Sequence, residues 1–186
     1  EINKAVLSVY ASLFTERAIS YRQHHNFDHH QVSMAICIQQ MIRSDLSSSG
    51  VMFTVDTENG CKDLILINSS YGLGELIVQG LVNPDEFYLF KPSLKNKKFP
   101  IIKKSMGNKT TKMVYSQNKN FDGSVKIVDL DQFDRSNFSL TDQEIIALGK
   151  IGLLIEQHYG KPMDIEWAKD GINNKLYVVQ ARPETV

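Results

Sequence analysis

Long apolar runs are missing from this sequence: no stretch of about 18 apolar residues is present to cross a bilayer, and no signal-peptide pattern is recognisable. Cysteine is scarce, with Cys37 in an apolar run and Cys61 in a glycine-containing turn. That argues against a disulfide scaffold and implies reduced thiols in a cytoplasmic protein. Neither sign of charge is in excess, since 21 Lys and Arg face 21 Asp and Glu. No long-range field therefore draws the chain to nucleic acid or membrane. Internal repeats and low-complexity tracts are also absent. The 186 residues can bury a real core, as one domain or two small lobes. Starting at Glu1 rather than methionine, the chain is expected to be a piece of something longer.

What is present begins with helical periodicity. Ile2, Val6, Val9 and Leu13 recur at helix spacing, which predicts an amphipathic helix ending near Arg22. From Val32 the pattern turns to strand: Val32 to Ile42, Gly50 to Val55 and Asp63 to Asn68, followed by Glu86 to Phe90, Pro100 to Lys104, Lys112 to Tyr115 and Ser124 to Leu130. Lys95–Lys98 and Gln117–Asn120 read as exposed hairpin loops. Thr141 followed by Glu144 is a capping box in front of Ile145, Leu148, Ile151 and Ile155, so a helix should run to Gly160.

The most informative segment follows that helix. In Met163-Asp164-Ile165-Glu166-Trp167, strand alternation places Asp164 and Glu166 on one face and Ile165 and Trp167 on the other. Gln180 and Arg182 share a face in Leu176 to Arg182, and Asp170-Gly171 with Asn173-Asn174 supply turn chemistry between the two runs. The expected hairpin gathers two carboxylates, an amide and a guanidinium on one side. Glu166 and Gln180 suit a hard cation such as Mg²⁺, which takes oxygen ligands and shares itself with waters and substrate phosphates. Arg182 offers a planar fork for phosphate oxygens, and Asp164 could orient a water or a second metal. The same alternation also fits a solvated hairpin face with one ordinary salt bridge.

Other polar clusters are weaker. His24-His25-Asn26-Phe27-Asp28-His29-His30 has metal-ligating residue types but no second cluster to accompany it, and a polar connection accounts for the composition. Gln39 and Gln40 lie inside an apolar run, where a buried amide needs a partner. Ser70-Tyr71-Gly72-Leu73-Gly74-Glu75 leads from a strand end into a glycine turn that lets backbone donors approach an anion, though without the Lys-Ser/Thr of a P-loop.

Read together, Ala11 to Ile19, Ser49-Gly50-Val51-Met52-Phe53-Thr54, Ser70 to Glu75, Val82 to Phe87, Pro162 to Ala168 and Val179-Gln180-Ala181-Arg182-Pro183-Glu184-Thr185 closely resemble the phosphoenolpyruvate synthase family. The resemblance runs nearly end to end. It falls in that family's amino-terminal ATP-grasp domain, the pyruvate phosphate dikinase type of nucleotide-binding domain. It implies an α+β fold, a mostly antiparallel sheet with packed helices, and makes residues 1–186 the carboxyl-terminal part of that domain. The implied reaction takes ATP, pyruvate and water to phosphoenolpyruvate, AMP and phosphate through a carrier histidine on a swivelling domain. Glu166 and Gln180 match the family's Mg²⁺ ligands, Arg182 its phosphate-contacting arginine and Asp164 a nearby active-site carboxylate. Gln39 and Met41 match the strand that meets the adenine edge and face, and Glu75 is a nucleotide-side candidate. The family's glycine-rich lysine segment and arginine-serine-serine segment are not in this chain, nor are the carrier-histidine domain and the pyruvate-binding barrel. The lobe is therefore expected to be incomplete, inactive alone and weak in ATP binding. Other readings are a related histidine-relay phosphotransferase with another acceptor and a non-catalytic ATP-grasp module.

Overall fold

The computed structural model describes residues 2–96, 98–116 and 124–184. It divides into two compact units, Glu1–Met41 and Ile42–Val186. The first holds helix α1 (Ile2–Ala11), a tight turn over Ser12–Phe14 and helix α2 (Glu16–His24). The single helix expected to reach Arg22 is thus broken. Thr15 adopts an extended ψ of 150° and its hydroxyl accepts from Ala18 N, so it caps a new helix instead of continuing the old one. Arg22 is buried, donating from Nη2 to Leu13 O at 2.7 Å and from Nε to His29 Nδ1 at 2.9 Å. The expected strand from Val32 to Ile42 does not form. Residues 32–42 carry no regular secondary structure, because apolar composition alone supplies no ladder partner.

In the second unit the elements follow as β1 (Ser48–Phe53), β2 (Leu64–Tyr71), α3 (Glu75–Val78), β3 (Asp85–Phe90), α4 (Lys91–Lys95), β4 (Ile101–Ser105), β5 (Thr111–Tyr115), β6 (Val125–Asp129), α5 (Gln132–Arg135), α6 (Asp142–Tyr159), β7 (Met163–Lys169) and β8 (Leu176–Pro183). Six strands form one sheet in the order β4-β3-β2-β1-β7-β8, and β5 pairs with β6 in a separate ribbon. Every pairing is antiparallel, so the fold is α+β as expected. The strand runs anticipated in this unit each appear with ends displaced by a few residues. Lys95 closes α4, so the stretch around it is the end of a short helix rather than a plain loop. Gln117–Asn120 and Lys97 lie outside the described residues.

One sheet face carries the core. Met52, Ile65, Ile67, Phe87, Leu89, Met163, Ile165 and Trp167 are buried against Ile145 and Leu148 of α6. The helix starts at the expected capping box: Thr141 Oγ1 accepts from Glu144 N and Glu144 Oε2 accepts from Thr141 N at 2.8 Å. It stops at Gly160 in the left-handed region, φ 68°. Its buried face includes Gly149 and Gly152; a β-carbon on Gly152 would stand 3.0 Å from Met52 Sδ, and one on Gly149 2.8 Å from Leu89 Cδ2. Close approach is what those glycines permit. At the far end of the core, Asp85 and Lys109 form a fully buried ion pair. Asp85 Oδ2 also accepts from Ser139 N and Oγ, and Oδ1 accepts from Gly107 N. Those added bonds offset the desolvation that otherwise makes a buried pair costly. Among the described residues no helix is long and apolar enough to cross a membrane.

Candidate functional site

β7 lies between β1 and β8, and it delivers the polar groups as alternation requires. Met163, Ile165 and Trp167 are at most 1% exposed on the α6 side. Asp164 and Glu166 therefore emerge on the opposite face, bordered on β1 by Phe53 and Val51, their register partners. Across the hairpin Asp164 pairs with Arg182 and Glu166 with Gln180. All four residues expected to converge do so, two facing pairs on adjacent strands.

The first pair is bonded. Arg182 donates to Asp164 Oδ2 from Nε at 2.8 Å and from Nη2 at 2.7 Å. Asp164 is 9% exposed at its side chain while that of Arg182 is 64% exposed, so a sheltered carboxylate holds an outward-reaching guanidinium. The hydrogen bond that Arg182 donates to Asp164, reinforced by the charge of Asp164 and by that of Glu166, raises the Arg182 pKa above its usual value. With the guanidinium largely in solvent, the pair adds roughly 0–1 kcal/mol to stability. Its consequence is orientation: the Asp164 contact fixes the direction in which the exposed guanidinium reaches.

The second pair is uncommitted. Neither Glu166 nor Gln180 makes a side-chain hydrogen bond or ion pair among the described residues, Glu166 is half-buried and Gln180 exposed. A carboxylate and an amide oxygen directly opposite each other are hard donors with free lone pairs, a set that fits Mg²⁺ sharing its remaining positions with water and phosphate. Among the described residues no group of three or more His, Cys, Asp or Glu could hold a metal by itself. Any cation here would lean on substrate oxygens.

A β-bulge follows immediately. One step on β7, Glu166 to Trp167, corresponds to two on β8, Gln180 to Val178, so Val179 is the extra residue. Bulges re-aim side chains, and this one carries Val178 to the Trp167 side, off the face where unbroken alternation with Gln180 would have put it. The polar pairs thus end at Gln180.

Support comes from residues that the sequence pattern did not single out. Thr54, wholly buried, accepts at Oγ1 from Met163 N (2.8 Å) and donates its own N–H to Met163 O (2.9 Å). This pins β7 one residue before Asp164. At the other end Asp170 accepts from Ile172 N at 2.7 Å, Asn173 N at 3.2 Å and Arg43 N at 3.4 Å. Those amide bonds, Ile172's foremost, hold its carboxyl below the ordinary range. The only sequence signals were Thr54 at the end of a resembling string and Asp170 in a turn.

The glycine turn follows the end of β2, beside the start of β1. Ser49 Oγ donates to Gly72 O at 2.6 Å, and Leu73 N donates to Met113 O at 2.9 Å. Gly72 has φ +87°, and a β-carbon there would lie 2.6 Å from Met113 O. Glu75 opens α3, is exposed and accepts from Gln79 Nε2 at 2.8 Å. It is not hydrogen-bonded to the hairpin residues. Gln39 and Met41 belong to the amino-terminal unit, both exposed and outside any strand.

Comparison with known proteins adds the chemistry. The family described as pyruvate phosphate dikinase, AMP/ATP-binding domain, matches residues 1–186. The chain is similar to the phosphoenolpyruvate synthase of Pseudomonas aeruginosa strain UCBPP-PA14, at 52% identity over 98% of this chain and 23% of that protein. Against the phosphoenolpyruvate synthase of Escherichia coli K12 the values are 53%, 98% and 23%, and against that of Aquifex aeolicus VF5 they are 54%, 98% and 22%. The chain spans under a quarter of the length of these relatives.

Proposed function

The chain belongs to the pyruvate phosphate dikinase AMP/ATP-binding domain family, and from that premise we propose that it is the carboxyl-terminal part of an ATP-grasp domain in a phosphoenolpyruvate synthase. The complete enzyme would bind Mg-ATP here, pass a phosphoryl unit to a carrier histidine on another domain, and convert pyruvate to phosphoenolpyruvate with release of AMP and phosphate. The carrier-histidine domain and the pyruvate-binding barrel are its implied partners. The single observation that carries the reading is the hairpin register, which sets Glu166 against Gln180 and Asp164 against Arg182 on one open strand face.

Phosphoryl transfer asks little covalent work of a protein and much positioning and charge neutralisation. Glu166 and Gln180 would hold Mg²⁺, which when bound neutralises phosphate oxygens as their charge shifts. Arg182, oriented by Asp164, gathers the oxygens that remain. Asp164 thereby acts as a positioning residue, its carboxylate already engaged by the guanidinium. On the resemblance of their segments alone, Gln39 and Met41 are assigned to adenine and Glu75 is a candidate on the nucleotide side. In the complete enzyme, Glu166→Ala should abolish ATP-dependent labelling of the carrier histidine, measured with isotopically labelled ATP. Labelling at the normal rate in that variant removes Glu166 from the mechanism.

A further inference from the structure

Where β1 ends, a lysine interrupts its ladder with β7. The register runs from Ser49 against Ala168 to Phe53 against Asp164, and the next pair, Thr54 with Met163, would in a regular antiparallel ladder exchange two backbone bonds. One of them forms: Thr54 N donates to Met163 O at 2.9 Å. Met163 N donates instead to Thr54 Oγ1 at 2.8 Å, while the Thr54 carbonyl accepts from Lys91 Nζ at 2.6 Å. The hydroxyl takes the place of the carbonyl that the lysine has drawn away.

Both partners are fully committed. The three ammonium protons of Lys91 go to Thr54 O and to Glu156 Oε1 and Oε2, the last two at 2.7 and 2.8 Å, with the side chain 7% exposed. Charge-assisted bonds in such a sheltered place are strong, and they tie the end of β1 to α4 and α6. Thr54 is wholly buried. Its hydroxyl serves Met163 N and its methyl faces α6, where a β-carbon on Gly152 would stand 3.4 Å from Cγ2. One χ1 setting serves both branches, and a β-branched residue is stiff at that angle.

Met163 hands this constraint to its neighbour. Since Thr54 and Met163 occupy a bonded position, Phe53 and Asp164 form the non-bonded pair that follows it. On the β1 side, Asp164 is therefore held through the bonds of Met163 and Ile165 rather than by its own backbone. We propose that Thr54 is a positioning residue for Arg182: its hydroxyl sets β7 at Met163, and thereby the place from which Asp164 receives Nε and Nη2. The consequence for phosphoryl transfer rests on the hairpin being the phosphate side of the ATP site.

The test has two readouts. One is labelling of the carrier histidine in the complete enzyme over a range of Mg-ATP concentrations. The other is the NMR resonance of Arg182 Nε–H in the 186-residue chain, which reports the bond to Asp164 whatever the hairpin binds. Thr54→Val keeps the shape and removes the acceptor, so kcat should fall roughly tenfold or more with KM within about threefold of normal, and the Arg182 resonance should shift and exchange faster with water. Thr54→Ser returns the hydroxyl without the methyl and should rescue both readouts. In Thr54→Val/Lys91→Met the freed carbonyl can accept from Met163 N, so both should recover in part; this double variant decides the matter where Thr54→Val alone shows no cooperative melt. An unchanged Arg182 resonance in folded Thr54→Val, equal losses in the valine and serine variants, or no recovery in the double variant would each overturn the proposal. Normal labelling in Glu166→Ala beside a perturbed Arg182 resonance in Thr54→Val would instead remove the ATP reading and uphold the positioning of Arg182.

Discussion

Replacing Asp164 by asparagine separates orientation from stability at the hairpin. The variant keeps the volume and one acceptor oxygen but removes the charge that receives Arg182 Nε at 2.8 Å and Nη2 at 2.7 Å. Because the Arg182 side chain is 64% exposed, the stability lost should be no more than about 1 kcal/mol. For a chain of this length that lowers the melting temperature by roughly 2–4 °C. The functional loss should be larger. A charge-assisted hydrogen bond contributes roughly 1.5–3 kcal/mol, which corresponds to about 10- to 150-fold in rate if the whole of it serves to aim the guanidinium at the transferring phosphoryl group. The assay is labelling of the carrier histidine in the complete enzyme, at ATP concentrations spanning KM, beside a thermal melt. A variant that melts 10 °C lower yet labels at the normal rate would refute the reasoning and make Asp164 a structural residue.

Three further expectations follow from the same geometry. Mg-ATP should bind the 186-residue chain only weakly by calorimetry, because Arg182 is the one cation among the four hairpin groups; sub-micromolar affinity would contradict this. Gly72→Ala should destabilise by roughly 1–2 kcal/mol or more from its φ of +87°, with the added clash against Met113 O, read as a lower urea midpoint. Burial alone would raise Glu144, but the bonds from Lys169 and Thr141 hold its pKa below the ordinary value. A depressed carboxylate stabilises above its unfolded pKa and loses that contribution as pH falls through the folded one. The urea midpoint should therefore drop on acidification below about pH 4.5, and Lys169→Met should flatten that drop.

Much of the candidate site was legible because it rests on local rules. Alternation placed Asp164 with Glu166 and Gln180 with Arg182, and turn residues between Ala168 and Lys175 announced the hairpin. The lock of Thr54 on Met163 joins residues 109 positions apart, and no pattern within either segment foretells it. The helical spacing of Ile2, Val6, Val9 and Leu13 concealed the break between α1 and α2, which the Thr15 cap makes. The fully buried pair of Lys109 with Asp85 joins segments 24 positions apart, and no local pattern marks Lys109 for it.

What the amino-acid order determined alone is whatever a few neighbouring residues settle by sterics and hydrogen bonding: the Thr141 capping box, the Gly160 stop, the strand periods and the face shared by each polar pair. Tertiary structure decided everything that needs a distant partner. It denied residues 32–42 a ladder, inserted Val179 as a bulge that turns Val178 away from Gln180, and paired Asp164 with Arg182 rather than with solvent. The physical reason is that a strand's own residues specify which side chains share a face, whereas register and pairing are energies between segments far apart in the chain.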